Sequence, residues 1–115
     1  MSRPHSVGKE LIANTTTVMF TVPTRNIARW SLLFAANHSS SSKWFTCWWY
    51  DKSENTEIEV VFEYPLTAKA FLKFDGSEVI LDEGDEIRVR SETGSVTTCI
   101  ITVELEQRST IQQFL

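Results

Sequence analysis

Residues 30–50 read WSLLFAANHSSSSKWFTCWWY, two strongly apolar runs on either side of a serine-rich turn. Successive side chains of an extended strand point to opposite faces. The second run then carries large apolar side chains on both faces: Trp44, Trp48 and Tyr50 on one, Phe45, Cys47 and Trp49 on the other. A strand that meets water on one face should alternate apolar and polar residues. We therefore expect a central hairpin that is covered on both faces, as in a subunit of a larger assembly.

The rest of the chain has the short strand patterns and regularly spaced turn residues of an all-β protein. Ile58, Val60, Phe62 and Tyr64 alternate with residues that are mostly glutamate, which predicts a half-buried strand. Turn residues recur at intervals of about ten residues, and no helical periodicity lasts longer than a turn or two. The pattern predicts an all-β fold, an antiparallel β-sandwich of jelly-roll-like form with about eight strands.

The chain of 115 residues is predicted to hold one domain. We expect an N-terminal arm at residues 1–9, a β-sandwich domain at residues 10–106 and a C-terminal tail at residues 107–115. Both terminal segments have few apolar anchors, so they should be disordered in the isolated protein. The tail nevertheless carries Ile111, Phe114 and Leu115, which we expect to dock on a neighbouring subunit.

Charge and hydropathy exclude several classes of partner. The net charge of −4 and the pI near 5.1 argue against nucleic acid and against anionic membranes. No apolar run approaches the roughly 18 residues that a membrane span needs. The first ten residues lack the apolar core of a secretory signal, so we expect synthesis in the host cytoplasm. Cys47 and Cys99 lie in apolar runs, and free buried thiols are favoured over a disulfide.

No set of residues has the spacing of a catalytic, cofactor or metal site. Four carboxylates share one predicted turn: Asp82, Glu83, Asp85 and Glu86. They lack the spacing of a calcium loop and are expected to form an exposed charged turn. His5 and His38 have no metal-ligating or nucleophilic companions nearby in sequence. Ser39–Ser42 lacks a nucleophile motif and is expected to be a flexible loop tip. We therefore predict a protein that is not an enzyme and needs no cofactor.

One constellation has a functional interpretation, the aromatic residues of the hairpin. The set comprises Trp30, Trp44, Trp48, Trp49 and Tyr50. Such residues can form the core, anchor a subunit interface or stack on sugar rings. The candidate interface residues are Trp44, Trp48 and Tyr50, together with Ile111, Phe114 and Leu115 of the tail.

The order of several short motifs resembles a known group of proteins. T-V-P at Thr21–Pro23 is followed by A-A-N at Ala35–Asn37 and W-W-x-D at Trp48–Asp51. A later segment, Gly76–Val89, reads G-S-x-V-I-L-D-E-G-D-x-I-R-V. This arrangement, over most of residues 17–105, resembles the small β-sandwich virion proteins of tailed bacteriophages, found among head decoration, fibre-base and tail-accessory subunits. The resemblance implies a structural protein without a cofactor, present in many symmetric copies.

These observations predict a non-enzymatic virion structural protein, a capsid decoration or cement protein or a head–neck accessory subunit. Its expected location is the virion. Its expected partners are other copies of itself and other virion proteins, such as major capsid, neck or tail proteins. Two alternatives remain open: a tail or baseplate accessory subunit, and a glycan-binding module that uses exposed Trp and Tyr side chains.

Overall fold

The computed structural model describes residues 2–76 and 78–108, and these residues form nine β-strands and no helix. The strands are β1 (Ser2–Glu10), β2 (Thr17–Thr21), β3 (Asn26–Asn37), β4 (Lys43–Asp51), β5 (Thr56–Leu66), β6 (Phe71–Phe74), β7 (Val79–Leu81), β8 (Glu86–Ser91) and β9 (Thr97–Gln107). All pairings between these strands are antiparallel.

The strands form two sheets with nested pairing. Sheet 1 has the order β1-β9-β3-β6, and β7 also pairs with β3. Sheet 2 has the order β2-β8-β4-β5. The first strand pairs with the last, the second with the last but one, and so on inwards to β4 and β5. This is the connectivity of a jelly roll, so the predicted fold is confirmed.

The two shortest strands occupy a single position in sheet 1. β6 pairs with residues 33–36 of β3, and β7 pairs with residues 28–30 on the same side of that strand. They therefore act as one interrupted edge strand, and the eight strand positions of a jelly roll are filled by nine segments.

The core lies between the sheets and follows the alternation of side chains along each strand. Ile101 and Val103 of β9, Ile87 and Val89 of β8 and Phe45 of β4 are all completely buried. Burying each such side chain stabilises the fold by roughly 1.5–3 kcal/mol.

The facing predicted for the second apolar run is confirmed. Phe45 and Cys47 lie in the core, and Trp49 packs against it, whereas Trp44 and Trp48 remain outside the core. The expectation that the outer face is covered by another molecule stays a prediction.

The N-terminal segment extends sheet 1. Residues 2–10 form β1, which pairs with β9 from Ser2 opposite Glu106 to Glu10 opposite Thr98. This corrects the expectation that residues 1–9 lack anchors in the sandwich. Residues 2–10 carry little local signal because β1 is an edge strand whose side chains are exposed except for half-buried Val7. Its backbone pairing with β9 holds it in place.

The serine-rich turn is tied to the sandwich by a buried asparagine. Asn37 is 1% exposed, and its amide nitrogen donates to the carbonyl oxygens of Ser41 and Leu66 at 3.0 Å each and of Thr67 at 3.2 Å. Its side-chain oxygen accepts a hydrogen bond from the Ser39 N–H, and the Ser39 hydroxyl in turn accepts one from the Val96 N–H. The expectation of a merely flexible loop tip is therefore wrong for Ser39, which is buried.

Strand β5 departs from the alternation that the sequence shows. Its register on β4 shifts twice, between Phe45 and Cys47 and between Cys47 and Trp48, because β5 contains extra residues at both places. One bulge includes Glu63, which has a φ of +45° and whose N–H donates to the Thr46 hydroxyl at 2.8 Å. In the middle of β5 it is Val61 that is buried. The expected half-buried face is therefore wrong: Ile58, Val60, Phe62 and Tyr64 are all exposed.

Candidate interaction surfaces

The predicted aromatic residues of β4 form a row on the outer face of sheet 2. Trp44, Trp48 and Tyr50 are half-buried there, and Trp48 lies opposite Arg88 of β8. The guanidinium carbon of Arg88 sits 3.9 Å from the centre of the Tyr50 ring, a cation–π contact. The Tyr50 hydroxyl donates to the side chain of Asn55 at 2.7 Å. The row is thus partly covered by the chain's own polar side chains.

Arg88 also links two carboxylates across this face. It donates to Glu57 and to Glu86, each at 2.7 Å. Although partial burial opposes its charge, these hydrogen bonds and the negative charges of both carboxylates raise the pKa of Arg88. The end of the row near Tyr50 is therefore a fixed, charged network and offers no flat open ring.

A more exposed apolar surface lies where β5 and β6 meet, which we call the open edge. β5 is the edge strand of sheet 2 and β6 that of sheet 1. The rings of Tyr64 and Phe74 contact each other edge to face, with 6.5 Å between their centres. The open edge consists of Ile58, Val60, Phe62, Tyr64 and Phe74, which are 42%, 42%, 59%, 43% and 47% exposed.

A cleft of about 250 Å³ lies behind the open edge, between the two sheets. Apolar side chains that line it include Trp30, Leu33, Val60, Phe74 and Val79. The cleft exists because β6 and β7 leave an interruption in the edge of sheet 1, so the sandwich is incompletely closed along this side.

A second apolar area lies on the outer face of sheet 1, which we call the outer patch. Phe34 of β3 stacks on Phe71 of β6 with 5.4 Å between ring centres, and Phe71 is 61% exposed. Ile100 lies opposite Phe34 on β9, and Ile80 of β7 is exposed farther along the same face. Both faces of the β3 strand are thus apolar, as the sequence indicates.

Charges of opposite sign flank the open edge. Glu59 and Glu63 are exposed on β5, and neither forms an ion pair within residues 2–76 and 78–108. On the β6 side, the Lys69 ammonium donates to the His38 carbonyl oxygen, and Lys73 lies 3.2 Å from Asp75. The β5 side is therefore acidic and the β6 side carries two lysines.

The acidic turn is a structural element with one buried member. Asp85 is 2% exposed and accepts hydrogen bonds from the backbone N–H groups of Asp82 at 2.9 Å and Lys52 at 3.1 Å and from the Trp49 indole at 3.1 Å. Gly84, with a φ of +86°, closes the turn, and a side chain there would collide with Lys52. The expectation of an exposed turn is therefore wrong for Asp85.

The remaining polar candidates have local structural partners. The His5 ring lies 5.7 Å from the Phe20 ring, and His38 forms a hydrogen bond with the Thr98 hydroxyl. Within the described residues, no three His, Cys, Asp or Glu side chains group as metal ligands. The same part of the chain contains no helix long and apolar enough to cross a membrane.

Both cysteines are free and buried, as expected. Burial raises the pKa of Cys99 to about 12. Burial and the nearby Cys99 raise the pKa of Cys47 well above its ordinary value. Neither thiol is therefore a nucleophile near neutral pH.

The other interface candidates, Ile111, Phe114 and Leu115, lie outside the described residues, so their docking stays a prediction. Sequence reasoning did not single out Phe71 or Phe74. It assigned the exposed residues of β5 to a half-buried face. One available signal was the consecutive triplet Val60-Val61-Phe62, which interrupts the alternation where β5 bulges.

Comparisons with known proteins identify no family for this chain. No protein-family profile matches the sequence, and no curated protein matches it. Among solved structures, a chain in a structure of infectious bursal disease virus, Gx strain, is similar with a TM-score of 0.48 and 9% sequence identity. The match covers 91% of this chain and 37% of that chain, so this chain spans little more than a third of its neighbour's length. No conclusion about function rests on this likeness.

Proposed function

We propose that this chain is a non-enzymatic structural protein of a tailed-bacteriophage virion, a capsid decoration or cement protein or a head–neck accessory subunit. The observation that carries the proposal is the open edge. Monomeric proteins rarely leave a contiguous apolar patch of several hundred Å² in water, and such patches usually mark sites of association. The outer patch adds a second apolar area on another side of the sandwich.

Two further observations support a structural role. The jelly roll is a fold of viral capsid domains, although lectins and cupins share it, so the fold alone does not decide function. The motif order from Thr21 to Val89 narrows the choice, because it resembles tailed-phage virion proteins. Its best-defined piece, Leu81–Val89, spans the end of β7, the turn that buried Asp85 organises and the first part of β8.

The proposal specifies how the subunit binds its partners. The open edge and the outer patch supply apolar contact with other copies or with major capsid, neck or tail proteins. The aromatic row and the C-terminal residues Ile111, Phe114 and Leu115 supply additional contacts. Chemistry on a substrate has no part in this role, because the polar side chains described above hold turns and strands together.

Particle composition tests the proposal directly. Antibodies raised against the pure protein should label intact virions of the phage whose genome encodes the chain, viewed by immunogold electron microscopy. Label on the head or neck supports the decoration or accessory role, whereas label on the tail or baseplate supports the alternative assignment. Gradient-purified particles that lack the protein, while the lysate of infected cells contains it, would refute a virion role.

A glycan array tests the remaining alternative. Half-burial of Trp44 and Trp48, and the Arg88 side chain over Tyr50, leave little free ring face for a sugar. We therefore expect the array to show no specific glycan binding that depends on Trp48. Specific binding lost in the Trp48→Ala variant, with the fold intact by circular dichroism, would favour a glycan-binding module.

A further inference from the structure

We propose that two copies of this chain pair through their open edges, related by a two-fold axis that runs between them. This pairing deepens the proposed function, because it names a partner for one of the apolar surfaces. Its role in a particle rests on that function, but the pairing itself is measured on pure protein.

The contact is made by side chains, because β5 is a poor template for strand addition. An unpaired strand edge can recruit another strand through its free N–H and C=O groups. In β5 the two bulges break the regular spacing of those groups, and Pro65 lacks an N–H. The strand is thus protected from open-ended sheet growth while its apolar side chains remain available.

The area of the open edge matches what one side of a dimer needs. A fully exposed aromatic side chain presents roughly 150–250 Å². The exposed fractions of Phe62, Tyr64 and Phe74 then amount to about 300 Å², and Ile58 and Val60 add about 100 Å². A standard interface buries about 800 Å² per partner, of which a little over half is apolar. The open edge supplies most of that apolar share.

Symmetry brings the two charged flanks together. A two-fold axis that lies between the copies, parallel to the edge strands, exchanges the two sheets and so places β5 of one copy beside β6 of the other. Glu59 points to the outer face of sheet 2, opposite Trp48, and Lys73 points to the outer face of sheet 1, opposite Phe34. After the rotation these two outer faces lie on the same side of the pair. Each copy's Glu59 and the other copy's Lys73 therefore lie on the same side of the pair, on opposite flanks of the contact, and this arrangement occurs twice.

Sedimentation equilibrium of the pure protein over micromolar to high-micromolar concentrations tests the pairing. We expect a monomer–dimer equilibrium for the unaltered chain. Phe62→Ser should raise the dissociation constant at least about tenfold, because it removes the most exposed ring of the open edge. Ile12→Ser is the matched control: Ile12 is 71% exposed and follows β1, the opposite edge strand of sheet 1. The dimer dissociation constant of the Ile12→Ser variant should stay within about twofold of that of the unaltered chain.

Charge reversal provides the second, more specific test. Glu59→Lys and Lys73→Glu should each weaken pairing, because each variant replaces an attraction between the two charged flanks with a repulsion, and does so twice. The combined variant restores opposite charges and should recover most of the lost affinity.

Three outcomes would overturn the pairing. The first is a monomer at all concentrations, and the second is an equal loss of dimer affinity in Ile12→Ser and Phe62→Ser. The third is a combined charge-reversal variant whose dimer affinity is no higher than that of the weaker single variant. Circular dichroism and thermal melting of each variant show that it is folded. Loss of pairing with the protein still present in virions would refute this inference alone. A dimer absent from virions would refute the proposed function and leave the pairing standing.

Discussion

Replacing Asp85 with alanine should be among the most destabilising single changes in the turn that precedes β8. The carboxylate accepts three hydrogen bonds, from two backbone N–H groups and the Trp49 indole, and it is 2% exposed. Hydrogen bonds to a charged group contribute about 1.5–3 kcal/mol each, and buried donors left unpaired carry a desolvation penalty. Because the three bonds share one acceptor group, their effects do not add fully. We therefore expect a loss of about 3–5 kcal/mol from the free energy of unfolding, a large part of the 5–15 kcal/mol typical of a domain.

Asparagine at the same position separates charge from geometry. One oxygen accepts from the Lys52 N–H and the other from Asp82 N–H and Trp49, so an amide NH₂ in either orientation faces at least one donor. Asp85→Asn should cost less than alanine but still about 2 kcal/mol. The matched control is Asp82→Asn in the same turn: the Asp82 side chain is 65% exposed and pairs with Arg108 at the surface. It should cost under about 1 kcal/mol.

Urea unfolding followed by tryptophan fluorescence measures these differences, since the chain contains four tryptophans. The expected order of stability is unaltered chain, Asp82→Asn, Asp85→Asn and then Asp85→Ala. If Asp85→Ala were no less stable than Asp82→Asn, the three hydrogen bonds would contribute nothing measurable, and the role assigned to Asp85 would be refuted.

Three further outcomes are expected. Burial raises the pKa of Cys99 to about 12, so the thiol contributes its whole share of the free energy of unfolding below the unfolded-state pKa near 8.5. Above that pH the free energy of unfolding should fall, by about 2 kcal/mol at pH 10. Urea unfolding of Cys99→Ala should show a flatter pH dependence. Asn37→Ala should lower the melting temperature and speed proteolysis of the serine-rich turn, because three carbonyl groups lose their hydrogen-bond donor. Proteolysis at the same rate as in the unaltered chain would contradict this. Arg88→Ala should lower the free energy of unfolding in urea by about 1–2 kcal/mol, because it removes the contact with Tyr50 and two ion pairs. Arg88→Lys should recover only part of that free energy. Full recovery by lysine would rule out a role for the planar guanidinium.

The sequence was sufficient for the class of fold because alternation and turn residues are local signals. The described residues form nine strands where about eight were predicted, and the facing of β4 follows directly from its period of two. The same period, continued backwards from Val89 and Ile87, would have placed Asp85 on the buried face. The charged neighbours Glu83 and Glu86 obscured that signal, because a run of carboxylates usually indicates an exposed turn.

The features that could not be predicted depend on long-range pairing. β1 has neither alternation nor strong β propensity, and it becomes a strand because β9 offers a complementary edge about a hundred residues away along the chain. The split of one strand position between β6 and β7, and the cleft that results, likewise depend on their register on β3. No local sequence pattern specifies pairing or register between strands that lie far apart along the chain.

Strand β5 shows why an amphipathic pattern does not by itself identify a core face. Alternation tells which side chains share a face only while the register is regular, and each bulge of β5 reverses that assignment. The bulges turn Val61 inwards and leave Phe62 and its apolar neighbours at the rim of the sandwich. A strand that served only the monomer would gain nothing from an apolar rim, because the rim lowers solubility without adding to the core. Retaining that rim while disrupting the backbone edge makes sense if β5 must meet one defined partner and must not extend the sheet without limit.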